Sequence, residues 1–303
     1  MFYDILRYVV NEGLFNAGNA SISLYDPSTE NVISDIYEKQ NAKNIGDIAQ
    51  SISKINGLFY IVVNNSNKVI ICDNNFKIKA QINELTSPRF LLAVSNQKAY
   101  VSDLYANAIS IVNLNSHQKS GSIPCYGKTE QMCQIYGKVF ITNYDSEYLY
   151  VVNSITDKIT DSVFVGKKAS SIGIDKNDKI WVLSGKQLSK INPVNLSVET
   201  SFAFSTNDSP FNLCFNKFKD TLYFLNSSIF RMSIDEGALP QQTFIKSDGK
   251  NFYGLGVHPN NYQVYAADAL DYVQKSSIYI FNQMGEKIKS FKAGVNSNSF
   301  YFE

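Results

Sequence analysis

Ala99-Tyr-Val-Ser-Asp103 is followed forty residues later by Val139-Phe-Ile-Thr-Asn143, and the same grammar recurs along the whole chain. Each copy is an aromatic, a short apolar stretch and then a small polar residue. The others are Arg7-Tyr-Val-Val-Asn11, Phe59-Tyr-Ile-Val-Val-Asn64, Ile180-Trp-Val-Leu-Ser184, Leu222-Tyr-Phe-Leu-Asn226 and Val264-Tyr-Ala-Ala-Asp268. The aromatics fall at 8, 60, 100, 140, 181, 223 and 265, separated by 52, 40, 40, 41, 42 and 42 residues. Short runs rich in Val, Ile and aromatics form strands. A period of about 40 to 45 residues with several strands per unit marks a propeller blade. Seven units fill the 303 residues. The expected fold is all-β, a seven-bladed β-propeller of four-stranded antiparallel blades in one domain, 1–303.

The grammar within a unit supports this. Residues 88–95, 98–103, 108–113 and 119–123 read as four strands separated by turn residues such as Ser95-Asn96-Gln97. The pattern repeats at 131–135, 139–143, 149–153 and 159–165, and no segment carries a helical period over three turns. The first unit has strands at 6–11, 20–25 and 32–37 but none before them. Its missing strand is Asn298-Ser-Phe-Tyr-Phe302 at the far end. Pairing 298–302 with the N-terminal blade closes the ring and removes its open edges. That pairing, with a long connection at 38–45, accounts for the longer first spacing. First strands crowd together, so their facing positions should be small; aligned by the following hairpin, these are Cys133, Gly173, Cys214 and Gly256.

Composition narrows function. The 28 Lys and Arg balance 27 Asp and Glu, which leaves no basic field for general nucleic-acid binding. No apolar run is long enough to span a membrane. Met1 leads almost at once into a strand, so no secretory signal is read here; this fits a cytoplasmic protein or a mature secreted form equally. The four Cys at 72, 125, 133 and 214 form no CxxC pair, and His117 and His258 lie far apart. No metal site is expected, and the Cys read as buried free thiols. His258 and His117 read as turn or surface residues rather than general bases, which need a positioned partner. Asp175-Lys-Asn-Asp178 lacks the glycine and distal glutamate of a calcium loop and reads as a hairpin turn. Glu12, Asp47, Glu130 and Asp271 are the carboxylates that could pair as acids.

A propeller collects, on one face, the residues that precede first strands and those that follow second strands. The first group supplies Arg89, Glu130, Gln131, Asn212, Phe252 and Tyr253. The second supplies Asn11, Glu12, Asn64, Asp103, Tyr105, Asn143, Tyr144, Asn226, Asp268 and Tyr272, with Asn65 beside them. Amides, carboxylates and aromatics suit a broad ligand with many amide or hydroxyl groups. For each Asn or Asp the competing role is structural, because such residues after a strand bond their own turn. These sixteen residues form the candidate ligand-binding set, with no catalytic residue and no cofactor among the expectations.

The signature Tyr100-Val-Ser-Asp and its copies resemble the YVTN-type propellers. Asn11-Glu-Gly-Leu-Phe-Asn-Ala-Gly-Asn-Ala-Ser-Ile-Ser-Leu-Tyr-Asp26, Ile45-Gly-Asp-Ile-Ala-Gln-Ser51, Ser87-Pro-Arg89, Tyr265-Ala-Ala-Asp-Ala-Leu-Asp-Tyr272 and Phe291-Lys-Ala-Gly294 extend a likeness over nearly the whole chain. They resemble the surface-exposed propeller lipoproteins of Gram-negative gut bacteria, the BtuG-like corrinoid-capture branch. The resemblance implies a non-enzymatic ligand-capture protein at the outer-membrane surface or outside the cell. It would be monomeric by itself, binding a corrinoid or similar nutrient and partnering a TonB-dependent outer-membrane transporter. An interaction scaffold is the alternative reading, and a propeller enzyme (lyase, lactonase or quinoprotein-like) the second.

Overall fold

A computed structural model of the protein describes residues 6–303. Strands pair in sequence order into antiparallel sheets. Ala49–Ile55, Leu58–Val63, Lys68–Cys72 and Ile78–Ile82 form blade 2, and Pro88–Ala93, Lys98–Asp103, Ala108–Asn113 and Gln118–Pro124 form blade 3. Blade 4 is Thr129–Ile135, Lys138–Asn143, Tyr148–Asn153 and Lys158–Phe164; blade 5 is Ser171–Ile174, Ile180–Leu183, Gln187–Ile191 and Val198–Ala203. Phe211–Phe215, Thr221–Asn226 and Ser228–Ser233 belong to blade 6. Phe252–Val257, Val264–Asp268, Lys275–Phe281 and Lys287–Val295 make blade 7. Blade 1 joins both ends of the chain, with Ser297–Phe302 beside Arg7–Asn11, then Ser21–Asp26 and Asn31–Ile33. The chain is an all-β, seven-bladed β-propeller.

The aromatic-apolar runs are the second strands, and they are buried on both faces because each is flanked within its sheet and covered above and below. Trp181 and Tyr100 are wholly inaccessible. The outermost strands instead alternate, each keeping one buried anchor: Ile123, Val163 and Phe202 in blades 3 to 5. A half-buried strand needs only that single apolar face.

The chain divides into two compact units, one of residues up to Leu91 with Ser247–Glu303, the other Leu92–Lys246. In the first, Ser297–Phe302 pairs antiparallel with Arg7–Asn11, matching Val9 to Phe300 and Arg7 to Phe302. The closing strand expected at 298–302 thus begins one residue earlier. Phe300 and Phe302 pack against Val9, Tyr25 and Tyr265. Asn11 sits fully buried at the joint: its Nδ2 donates to Ser23 Oγ (3.0 Å) and Ser21 Oγ (3.2 Å). Its Oδ1 accepts from Gly294 N (3.0 Å) and Ser297 Oγ (2.6 Å).

One expected strand is corrected. The third strand of the chain stops at Ile33 and a six-residue helix, Ile36–Asn41, follows. The helix buries Tyr37 in the core with Phe59 and Phe76, and Asn41 Nδ2 donates to the carbonyls of Tyr37 and Phe76, both at 2.8 Å. Over so few residues, Ile36 and Tyr37 fit either period, and tertiary packing decides.

In the second unit, Phe140, Leu149, Val151 and Val182 form one core cluster and Trp181, Leu188, Leu222 and Phe224 another. Blade 6 has three strands, and its fourth place is held by a single bridge, Ile229 to Ile245. The segment between, Asp235-Glu-Gly-Ala-Leu-Pro240, carries a glycine and a proline that cannot extend a ladder.

The small-residue column lies as the hairpin alignment places it, with Cys133, Gly173, Cys214 and Gly256 opposite Phe140, Trp181, Tyr223 and Tyr265. A Cβ on Gly173 would lie 2.6 Å from Phe215 Cε2, so the neighbouring first strand leaves no room for a side chain.

Candidate ligand-binding sites

The polar residues that end second strands mainly build turns. Asp103 Oδ1 accepts from Tyr105 N and Ala106 N (2.9 Å each), and Asn143 Oδ1 accepts from Asp145 N and Ser146 N (3.0 Å each). Asp268 Oδ1 accepts from Asn251 N and Leu270 N. Asn226 holds Ser209 N and Asp208, and Asn64 Nδ2 donates to Ser87 Oγ and the Pro88 carbonyl. At Asp103, Asn143 and Asp268 the side-chain oxygen accepts from an N–H two residues on and so mimics a backbone turn partner. Asp103 and Asn143 thus cap their own turns, Asp268, Asn226 and Asn64 tie the ends of second strands to the segments that lead into first strands, and Asn11 is locked into the joint, so all six are engaged within the fold.

The starts of the first strands behave differently, because a β-bulge interrupts several of them. Register shifts leave an extra residue at Gln50, at Tyr253 and at Asn298, within Glu130–Gln131, and within Asn212–Leu213. A bulge takes a side chain out of the strict in-out alternation and re-aims it. In the first unit three such residues and two of their neighbours form a continuous row. Tyr253 Oη donates to Glu12 Oε2 (2.8 Å), and Asn298 Nδ2 donates to Glu12 Oε1 (2.9 Å) and to the Gln50 carbonyl (2.9 Å). Arg89 Nη1 donates to Gln50 Oε1, while Ser51 Oγ holds the Arg89 carbonyl at 2.7 Å. Tyr272, 45% exposed, sets its ring edge-to-face on Tyr253 at 5.6 Å.

Glu12, Arg89 and Tyr253 are half-buried, whereas Gln50 and Asn298 are buried. Burial, then the Glu12 carboxylate, push the Tyr253 hydroxyl well above the ordinary phenol range, and Arg89 opposes the shift. Asn298 Oδ1 is buried and has no hydrogen-bond donor, a condition that calls for an explanation in a native site. Of the expected residues, the structure brings together Glu12, Arg89, Tyr253 and Tyr272. The sequence reading missed Gln50 and Asn298 as site residues. The signal was present, since both occupy the position before a first strand that nominated Arg89 and Tyr253.

In the second unit, Gln131 Oε1 accepts from Ile172 N (3.1 Å), Glu130 is buried, and Asn212 takes a left-handed backbone at φ 61°. Tyr105 is 64% exposed under Lys128. Tyr144 lines a cavity of about 570 Å³ with Lys167, Lys168, Lys186, Asp208 and Phe211. Phe252, in the first unit, is buried edge-on to Phe281. It packs and does not face a site.

Of the four carboxylates considered as acids, Glu12 belongs to the row and two others are held in loops of their own. Asp47 Oδ2 accepts from Asn16 N (2.8 Å) and Asn65 Nδ2 (2.5 Å), and Asp271, held to about 2 by its bonds from Gln274 and Val273, closes a turn. His258 Nδ1 accepts from Asn260 N and Asn261 N in its turn. Asp175 Oδ1 closes its hairpin through Asn177 N and Lys179 N, and Oδ2 takes the Trp181 indole N–H at 2.8 Å. Among the described residues, no group of three or more His, Cys, Asp or Glu is placed to hold a metal ion. The Cys are free, and burial pushes Cys72 and Cys214 up to about 12 and Cys125 up to about 11.

Fold and sites together define a β-propeller with polar loop-end clusters. Residues 7–303 match a family described as a domain of unknown function, DUF5074, and the chain belongs to that family. A search of curated proteins finds no match. Solved structures share the fold. A quinoprotein alcohol dehydrogenase-like protein from Bacteroides thetaiotaomicron is 14% identical with a TM-score of 0.80, over 99% of this chain and 78% of that one. A putative 6-phosphogluconolactonase from Bacteroides fragilis is 12% identical with a TM-score of 0.74, over 99% and 98%. The periplasmic gluconolactonase of Pseudomonas aeruginosa is 9% identical with a TM-score of 0.74, over 98% and 99%. These likenesses correct one expectation. The reading that the protein is not an enzyme is overturned, because enzymes stand among its structural neighbours. Propeller loops host binding and catalysis alike, and fold does not separate the two.

Proposed function

We propose that this propeller captures a small-molecule ligand on the first-strand ends of its N- and C-terminal blades. The observation carrying this reading is the row Tyr253–Glu12–Asn298–Gln50–Arg89, five residues from distant parts of the chain joined by hydrogen bonds, three of them at bulged strand starts. It offers a ligand a guanidinium, a carboxylate and a phenol, with the exposed edge of Tyr272 beside them. A few convergent polar groups next to an aromatic wall are what a ligand site needs for orientation and affinity. The resemblance to corrinoid-capture propellers supports reading the ligand as a corrinoid or similar nutrient and the partner as an outer-membrane transporter at the cell surface.

The test is calorimetric titration with cyanocobalamin and with glycans, on the wild type and on Tyr272→Ala and Arg89→Ala. Saturable binding weakened by about tenfold or more in both variants supports the site. Absence of affinity for any corrinoid removes the corrinoid version. A second reading, opening of a cyclic ester, draws on the two lactonase-like neighbours and on Glu12, the half-buried carboxylate of the row. Incubation with gluconolactones, comparing wild type with Glu12→Gln, decides it. Turnover lost in the variant supports hydrolysis.

A further inference from the structure

The cavity of the second unit has a charge that the row in the first unit does not explain. Three lysines, Lys167, Lys168 and Lys186, line it against one acid, Asp208. Asp208 is already engaged: its Oδ1 accepts from Asn226 Nδ2 (2.8 Å) and its Oδ2 from Ser205 N (2.8 Å), and these bonds lower its pKa. Lys186 is also committed, donating to the carbonyls of Thr206 (2.8 Å) and Asp208, so it fastens the loop that forms one wall. Lys167 and Lys168 are exposed, and neither forms an ion pair among the described residues.

Their loop is nonetheless fixed. Gly166 donates to the Glu147 carbonyl (3.1 Å), Lys168 N donates to the Tyr144 carbonyl (3.0 Å), and the Lys167 carbonyl accepts from Gly185 N (3.0 Å). Lys168 adopts a left-handed backbone at φ 63°, a conformation that costs an L-residue of order 1 kcal/mol and has to be held by its surroundings. The aliphatic stem of Lys168 lies over Gly185, where an added Cβ would stand 3.1 Å from its Cβ and Cδ. The loop therefore brings two cationic residues to the lining of a cavity that Tyr144 and Phe211 also line. Lysines carried on a backbone held in this way, beside an aromatic wall, suit an anionic head group attached to an apolar body.

We infer that this cavity binds a small anion, a carboxylate or phosphate carried on a planar apolar group, through Lys167 and Lys168, with Tyr144 and Phe211 against the apolar part. The site lies wholly in the second unit and stands whether or not the first unit binds a ligand. The probes are phenyl phosphate and benzoate, with benzyl alcohol as the neutral control, titrated into the full chain by calorimetry and by amide NMR. Saturable one-site binding of at least one anion is expected, with shifts in the amides of 166–168 and 184–187. Benzyl alcohol should bind about tenfold more weakly or worse, and which anion binds better tells carboxylate from phosphate recognition. The double variant Lys167→Ala/Lys168→Ala should lose about tenfold or more in affinity while keeping the wild-type thermal midpoint. If that variant melts early, the amide shifts in the wild type decide instead. Failure of both anions to saturate, equal binding of benzyl alcohol, shifts confined to other residues, or undiminished affinity in a folded double variant would overturn the proposal.

Discussion

Replacing Asn11 by Ala should loosen the closure of blade 1 far more than an ordinary surface substitution. Asn11 is fully buried, and its amide ties three strands of blade 1 to the end of blade 7. Alanine removes the acceptor of the Gly294 N–H and the nearer acceptor of the Ser297 hydroxyl, which keeps only the Gly294 carbonyl at 3.5 Å. Each unsatisfied buried polar group costs about 1–3 kcal/mol, so one orphaned donor and one weakened one give an expected loss of about 2–4 kcal/mol. That is a large share of the ~5–15 kcal/mol that stabilises a typical protein. Urea unfolding followed by circular dichroism should give a lower midpoint with unchanged slope. Hydrogen exchange of the 297–302 amides should accelerate most. Because Ser297 loses its nearer acceptor in the single variant, adding Ser297→Ala should cost less than its separate effect, with a coupling of about 0.5–3 kcal/mol. A loss below about 1 kcal/mol, or strict additivity of the two changes, refutes the claim that this network fastens the terminal strand.

Three further outcomes follow from named contacts. Gly254→Ala places a Cβ 2.8 Å from the Ser297 carbonyl oxygen and 2.9 Å from the Asn298 carbonyl carbon, both backbone; a loss of about 1–3 kcal/mol is expected, with ligand affinity of the Glu12 row falling too, read by melting and titration. Asp175→Ala strips the buried Trp181 indole of its acceptor and opens the hairpin turn, so thermal melting followed by the emission of this single Trp should show a loss of about 2–4 kcal/mol. Burial raises the Cys72, Cys125 and Cys214 thiols in the folded state to about 12, 11 and 12. Above pH ~9 the unfolded chain therefore binds fewer protons than the folded one, and stability falls by up to about 1.4 kcal/mol per pH unit for each thiol until the folded value is passed. Urea midpoints from pH 8 to 11 check this; a flat profile would show the thiols ionising freely, as would rapid labelling of the native protein by Ellman's reagent at pH 8.

The sequence by itself determined the seven-unit spacing, the buried second strands, the crowded column at Cys133, Gly173, Cys214 and Gly256, and the closure by residues after 297. All of these are written in alternation, turn residues and a repeat length, which are local properties of a chain. It also named Glu12, Arg89, Tyr253 and Tyr272, because position within the repeat selects one end of the strands. It could not separate them from Asn11, Asn64, Asp103, Asn143, Asn226 and Asp268, since an Asn after a strand reads the same whether it closes its own turn or meets a ligand. Tertiary structure decided that, through which donors each oxygen finds. It alone placed Gln50 and Asn298 beside Glu12, 38 and 286 residues away in sequence, because a bulge is a mismatch of register between two strands. The cationic cavity likewise exists only where the 166–168, 184–187 and 206–211 loops meet; its shape and charge come from folding loops together, which no single loop encodes.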